Sequence, residues 1–143
     1  MAYTMKNCKV EFSAGGTTWT DVTSDSNSVT MSGFELQTAS NSVFGQAKVD
    51  QTVGGYAIGT ITIRAVYTET TTSAWGLAHT AWVNRTNLYV RWSPRGGTTG
   101  QYRYTSDAGY VKNPVWPVGE DGPSMIMSEI VIETPFVTQA AVA

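Results

Sequence analysis

The chain of 143 residues is 41% apolar and only 14% charged, whereas soluble domains typically carry roughly 25% charged residues. Its length fits one domain, residues 1–143, without room for a second independent core. Nine Lys and Arg against eleven Asp and Glu exclude a strongly basic nucleic-acid-binding domain, and a single cysteine excludes an intrachain disulfide.

The N-terminal residues MAYTMKNCKVEF lack the apolar core of a signal peptide, and no run of about 18 apolar residues occurs in the chain. We therefore expect neither secretion by that route nor a membrane-spanning helix. The expected place of synthesis is a reducing cytoplasm.

Alternation of apolar and polar residues predicts β-strands along most of the chain. The clearest strands are KVEF at 9–12, GTITIRAVYTE at 59–69, LYVRWSP at 88–94 and MIMSEIVIET at 125–134. In the last of these, Ile126, Ile130 and Ile132 are expected to share one face. Segments rich in Gly, Asp, Asn, Ser and Pro separate the strands, as turns require. The pattern predicts a mainly antiparallel β-sandwich or barrel.

The segment SVTMSGFELQ, residues 28–37, changes its apolar phase in the middle. Val29 and Met31 have one parity, whereas Phe34 and Leu36 have the other. We predict a bulge or sharp bend at Gly33, which would return these side chains to a common face.

A long connection at about residues 40–57, SNSVFGQAKVDQTVGGYA, shows no sustained alternation. Loops longer than about 12–15 residues are usually functional or disordered, and the apolar content of this one is too high for a solvated linker. We predict an arm that docks on a partner, and a hairpin packed on its own domain stays open as the alternative. The candidate contact residues are Val43, Phe44, Val49, Val53 and Tyr56.

Only YTETTTSAWGLAHTAWVNRT, residues 67–86, is typical of a helix, expected at about residues 73–84. At 100° per residue, Trp75, Leu77 and Trp82 fall within an apolar arc of about 160°, which predicts a flanking helix that packs these three against the sheet. His79 lies at the margin of this arc.

The sequence offers no set of catalytic or metal-ligating groups. His79 is the only histidine, and no G-x-S-x-G motif surrounds any serine. Glu129 and Glu133 would lie about 13 Å apart on one strand, farther than the carboxylate pairs of glycosidases. We expect no enzymatic activity, no cofactor and no metal. A sugar-binding module stays open, because Tyr102 and Tyr104 share a strand face and Trp19 could extend that platform.

Two segments go beyond general β patterning: FSAGGTTWTDVTSDSNSVTMSG and AVYTETTTSAWGLAHTAWVNRTNLYVRWSPRGGTTGQYRYTSDAGYV. Together they resemble the tail tube (major tail) proteins of long-tailed bacteriophages over roughly residues 9–135. The resemblance implies a small β-sandwich or barrel with one helix on its flank. It also implies hexameric rings whose sheets join into one β-barrel and stack into a tube.

The resemblance implies that the arm at 40–57 corresponds to the loop that contacts the next ring. It also implies that the residues before Lys9 and the tail VTQAAVA are extensions that add contacts between rings or between subunits. Glu35, Glu129 and Glu133 are candidates to face the lumen. The resemblance implies a virion protein, made in the bacterial host cytoplasm, with tape-measure, terminator and tail-tip proteins as partners. DNA would pass through without specific binding, because few basic groups are available to hold phosphate.

Other functions remain open at this level. Besides the sugar-binding module, the chain could be another virion component with a related fold. Such components include a tail terminator, a decoration protein and the tube of a contractile system.

Overall fold

The computed structural model describes residues 6–41, 44–45, 50–114 and 126–143. These residues form one helix and a set of antiparallel strands. The elements are β1 Lys9–Ser13, β2 Thr20–Asp21, β3 Ser26–Ser32, β4 Leu36–Asn41, β5 Asp50–Tyr56, β6 Gly59–Val66, α1 Ala74–Asn84, β7 Asn87–Ser93, β8 Tyr102–Ser106, β9 Gly109–Pro114, β10 Met127–Thr134 and β11 Val137–Ala141.

Strand β7 joins the two halves of the main sheet. One edge of β7 pairs with β1, while its other edge pairs first with β9 and then with β8. Beyond β9 the order continues through β10 and β6 to β3, and beyond β8 it ends at β11. Strands β4 and β5 form a separate two-stranded hairpin. The predicted mainly β, antiparallel fold with one helix is confirmed.

The core is built from the alternation that the sequence predicts. In β6, Ile61, Ile63 and Ala65 are fully buried, and the inward-facing residues of β1 and β7 meet them in one cluster. Burying a large aliphatic or aromatic side chain stabilises the fold by about 1.5–3 kcal/mol relative to exposure. The buried apolar residues of β1 and β7 are Val10, Phe12, Leu88, Val90 and Trp92.

Strand β10 differs from its prediction at one end. Ile130 and Ile132 are fully buried, but Ile126 precedes the strand and is exposed, so the expected common face of all three is wrong. The first residue of β10 is Met127, which pairs with Val66 at the end of β6. The Ile126 carbonyl still accepts a hydrogen bond from the Tyr67 N–H, but the Ile126 side chain lies beyond the covered part of the sheet.

Helix α1 begins at a side-chain cap. The hydroxyl of Ser73 accepts a hydrogen bond from the Gly76 N–H at 3.1 Å. At the other end, Arg85 adopts a left-handed conformation, and its N–H bonds to carbonyls of the last turn. Among the described residues, no helix is long and apolar enough to cross a membrane.

The helix contacts the sheet mainly through alanines, which allow a close approach to the strands: Ala74, Ala78 and Ala81 are buried. Trp75 is also buried, and Leu77 packs partly buried against the core. Trp82 is 39% exposed, so the prediction that it lies in the core is wrong. It lies in the last helical turn, where it lines a surface groove beside β9.

The C-terminal tail also differs from its prediction. Instead of an extension, residues 137–141 form strand β11, which pairs with β8 from Val137↔Ser106 to Ala141↔Tyr102. Two further backbone hydrogen bonds connect Val142 to the 100–101 turn. The tail is therefore part of the sheet, because its backbone groups are satisfied by β8. The residues before position 6 lie outside the described part of the chain.

Candidate functional site

The outward face of the β3-β6-β10-β9 sheet is polar. Pairing aligns Thr30 with Thr62, and Ser32 with Thr60, whose hydroxyl oxygens lie 2.9 Å apart. On β10, Glu129 is exposed and Glu133 is half-buried, and both are on this face. Two of the three predicted lumen candidates thus share one surface.

The third candidate, Glu35, lies between β3 and β4 and not on a strand. Its backbone carbonyl accepts a hydrogen bond from the Ala57 N–H at 2.8 Å. Its position is therefore at the base of the β4–β5 hairpin.

Acidic and basic residues on the outward face lie side by side. The Lys112 ammonium is 3.4 Å from the Glu133 carboxylate, and Arg64 is the register partner of Glu129. Side chains on directly opposed residues of an antiparallel pair are neighbours, so each acid on this face has a basic neighbour.

Two strand edges bound this four-stranded surface. In the described part of the chain, β3 pairs only with β6, and β9 pairs with β7 only through Gly109 and Tyr110. The outer edges of Ser26–Ser32 and of residues 111–114 therefore present backbone N–H and C=O groups that are not hydrogen-bonded to any described strand. Strand β3 has no charged residue, whereas β9 carries Lys112 and ends at Pro114, two residue types that usually hinder edge pairing, so the β3 edge is the less protected of the two.

The predicted arm is a β-hairpin. Its strands pair from Leu36↔Tyr56 to Asn41↔Asp50, with an irregularity near the glycines of β5. Alternation was not recognisable in the sequence because neither face of this ribbon is buried. The alternative of a hairpin packed on its own domain is wrong for most of the ribbon, since the described side chains of both strands are exposed.

The predicted contact residues of the arm are accessible where the structure describes them. Phe44 is fully exposed near the tip, and Val53 and Tyr56 are exposed on β5. Val43 and Val49 lie outside the described residues.

The base of the hairpin is a close crossing of two chain segments. Gly33 and Phe34 both have positive φ, 83° and 58°, which confirms the bend predicted at Gly33. The common face expected beyond it is wrong, because Leu36 belongs to the separate β4–β5 hairpin and is exposed. A Cβ atom on Gly33 would lie 2.8 Å from the Gly59 Cα, and one on Gly59 would clash with the Phe34 ring. The Tyr56 ring also contacts Phe136, with centroids 5.0 Å apart. Glycine is thus required at both positions.

The rim of α1 shows no arrangement for catalysis. The His79 imidazole stacks on the Trp75 indole, with centroids 4.7 Å and planes 14° apart, and Trp82 lies 6.0 Å away. Burial raises the pKa of the Cys8 thiol, which lowers its fraction of reactive thiolate. Among the described residues, no three His, Cys, Asp or Glu side chains are grouped closely enough to hold a metal ion.

The aromatic platform proposed for sugar binding is mostly covered. Tyr104 stacks on Trp92 with centroids 5.6 Å apart, and the Arg91 guanidinium lies 4.2 Å from the centroid of Trp19. Of the three aromatic residues, Tyr102 alone is exposed. The structure therefore does not bring them together as an open stacking surface.

Arg91 has a structural role that the sequence did not predict. It forms a two-pronged ion pair with Glu11, through Nε–Oε1 and Nη2–Oε2 contacts of 3.0 Å each. Glu11 is only 7% exposed, because Arg91 covers it across the β1–β7 pair. Strand pairing creates this contact between residues that are 80 positions apart.

Comparison with known proteins identifies the fold. No family model matches the sequence, and no curated protein matches it. Among solved structures, a chain from the tail of an empty gene transfer agent particle, refined with C6 symmetry, has a TM-score of 0.71 at 10% identity. The match covers 99% of this chain and 100% of that one.

Two further solved structures show the same fold. A chain of the native gene transfer agent virion has a TM-score of 0.72 at 10% identity, covering 98% of this chain and 100% of that one. A chain of the PVC sheath–tube complex, an extracellular contractile injection system in the extended state, has a TM-score of 0.66 at 15% identity. It covers 95% of this chain and 89% of that one. These similarities, over nearly the full length, establish a shared fold.

Proposed function

We propose that this protein is a structural, non-enzymatic virion component whose copies join into rings and stack into a phage tail tube. The single observation that carries this proposal is a four-stranded antiparallel surface whose two outer edges are not paired with any strand in the described part of the chain. The fold shared with chains of tail and injection-system assemblies supports it.

The number of strands on this surface suits a closed ring. In the order β3-β6-β10-β9, each strand is antiparallel to the next, so β3 and β9 run in opposite directions. Rotation about an axis that is roughly parallel to the strands keeps their directions unchanged. The next copy's β3 can therefore pair with β9 antiparallel, and the pattern continues around the ring without open edges.

The bore of such a ring follows from strand spacing. Six copies, matching the symmetry of the gene transfer agent tail, would contribute about 24 strands. At about 4.8 Å between strands, the circumference is at least about 115 Å, which gives about 37 Å between opposite backbones. The lumen then has room for double-stranded DNA.

The outward face of the sheet would line this lumen. Its β3 and β6 strands contribute mainly Ser and Thr, and Glu129 and Glu133 on β10 are balanced by Arg64 and Lys112. Each free cation that neutralises a phosphate adds affinity by releasing counterions. Cations beside carboxylates are less available to phosphates, so this surface favours passage of DNA over specific binding.

The β4–β5 hairpin would contact the adjacent ring. A two-stranded ribbon is at best marginally stable alone in water, and both faces of this one are exposed. Its exposed apolar residues Phe44, Val53 and Tyr56, together with Val43 and Val49, would be covered by the neighbouring ring. Glu35, at the base of the hairpin, would lie near the ring-to-ring boundary instead of lining the lumen.

The proposed location is the virion tail, after synthesis in the cytoplasm of the bacterial host. Tape-measure, terminator and tail-tip proteins would be the other partners. The tape-measure protein would occupy the lumen, and the terminator and tail tip would bind the two ends of the tube.

Assembly of the purified protein tests the proposal most directly. Negative-stain electron microscopy with light scattering should show rings or tubes. Amide hydrogen exchange should slow at the outer edges of β3 and of residues 111–114 upon assembly. The Pro94–Gln101 turn supplies an internal control and should exchange equally in both states. A protein that stays monomeric at all concentrations, also with tail initiator, would refute the proposal.

A further inference from the structure

One row of inward-facing side chains crosses the whole four-stranded surface. Met31 pairs with Ile61, Ile61 with Ile132, and Ile132 with Val111. Ile61 and Ile132 are fully buried and Val111 is 6% exposed, but Met31, at the β3 edge, is 50% exposed. A residue on the core face of the sheet is thus left uncovered because β3 has no described neighbour on its outer side.

The opposite end of the same row borders a surface groove of about 500 Å³. It lies between the edge of β9 and the last turn of α1. The apolar part of its lining includes the partly exposed Trp82 and the exposed Val83. The groove is lined by Ala81, Trp82, Val83, Arg85, Thr86, Tyr110 and Val111.

We infer that Met31 of one copy fills the groove between β9 and α1 of the neighbouring copy in the ring. This inference rests on the proposed ring assembly and specifies its side-chain contact. Continuing the antiparallel order places the next copy's β3 beside β9, with the core faces of both strands on the same side. With strands that run nearly parallel to the ring axis, the row Met31–Ile61–Ile132–Val111 meets the Met31 of the next copy, and one apolar layer runs around the ring.

The chemistry of the two surfaces fits this contact. Methionine is unbranched and flexible, so it fills irregular grooves, and its sulfur makes favourable contacts with aromatic rings. Trp82 supplies such a ring in the groove. The contact also explains why a tryptophan and a valine at the end of α1 are exposed in the isolated chain, since the neighbouring copy would cover them.

Disulfide trapping tests the inference. In a Cys8→Ser background, which removes the only native cysteine, the pair Met31→Cys and Val83→Cys is assembled and oxidised. We expect a non-reducing gel ladder from dimer up to the closed ring. The matched control is Met31→Cys with Thr80→Cys, because Thr80 is on the same helix but lines the groove beside the β1–β2 loop. The control pair should yield no ladder.

A second variant avoids reliance on the cross-link. Met31→Ala should raise the protein concentration needed for assembly by roughly tenfold, the effect of an interface side chain worth about 1.4 kcal/mol. Thermal unfolding of the monomer should change little, because Met31 is half exposed there.

The outcomes separate this inference from the proposed function. If rings form but the Met31→Cys/Val83→Cys pair gives no cross-link, the assignment of Met31 is overturned while the ring proposal stands. The same holds if the cross-link forms equally well with Thr80→Cys in place of Val83→Cys, or with Val29→Cys in place of Met31→Cys. Normal assembly of Met31→Ala overturns it as well. A wild-type protein that forms no ring refutes both proposals.

Discussion

Removing the β4–β5 hairpin should leave the rest of the fold intact. The 21 residues Leu36–Tyr56 would be replaced by Gly-Ser-Gly between Glu35 and Ala57. The two flanking residues are already hydrogen-bonded, with the Ala57 N–H 2.8 Å from the Glu35 carbonyl oxygen, so a short linker can join them. A β-turn of this length needs no change elsewhere in the sheet.

The expected change in stability is small. Shortening the closed loop from 21 to three residues lowers the entropic cost of folding by about 1.7 kcal/mol. Loss of the Tyr56–Phe136 ring contact costs about 0.5–1.5 kcal/mol. The two effects nearly cancel, so the free energy of unfolding should stay within about 1 kcal/mol of the wild-type value.

Urea unfolding of the deletion variant measures this stability, and electron microscopy measures its assembly. We expect a folded protein that forms single rings and no tubes. A loss of more than about 3 kcal/mol, far beyond the summed estimates above, would show that the hairpin belongs to the core. Normal tubes would show that stacking does not depend on the hairpin.

Three other variants test separate parts of the structure. Arg91→Met should lower the free energy of unfolding, measured in urea, by about 3 kcal/mol, because it leaves the buried Glu11 carboxylate without its main partner. Adding Glu11→Gln should recover part of this loss. Gly59→Ala should lower the free energy of unfolding by about 1–3 kcal/mol and with it the melting temperature, because the added methyl group clashes with the Phe34 ring. Gly55→Ala, with open space around it, should change the melting temperature little. Glu133→Lys should leave tubes intact but slow DNA ejection in an assembled phage, and an unchanged rate would argue against this face lining the lumen.

The buried strands could be predicted from sequence because each has one covered face. In β6 and β7, every second residue enters the core, and that pattern is visible without knowing the partners. The bend at Gly33 was also visible, since the apolar phase changes there. Such features depend on local sequence and need no knowledge of strand pairing.

Features that depend on contacts between distant segments were not predictable. The hairpin at 36–56 has no covered face, so burial imposes no alternation on it. The Glu11–Arg91 ion pair depends on the register of β1 against β7. Trp82 falls within the apolar arc of α1, but its exposure depends on where the underlying sheet ends. A helical projection contains no information about that edge.

The antiparallel order of β3, β6, β10 and β9 would limit the dimensions of the proposed tube. Because each copy contributes two up–down strand pairs, any mutation that adds or removes a single strand would place parallel neighbours at every junction of the ring. The bore of the proposed tube could therefore change only in discrete steps, by a whole strand pair in every copy or by a whole copy. One additional copy would widen the backbone diameter by about 6 Å, from four strands spaced about 4.8 Å apart.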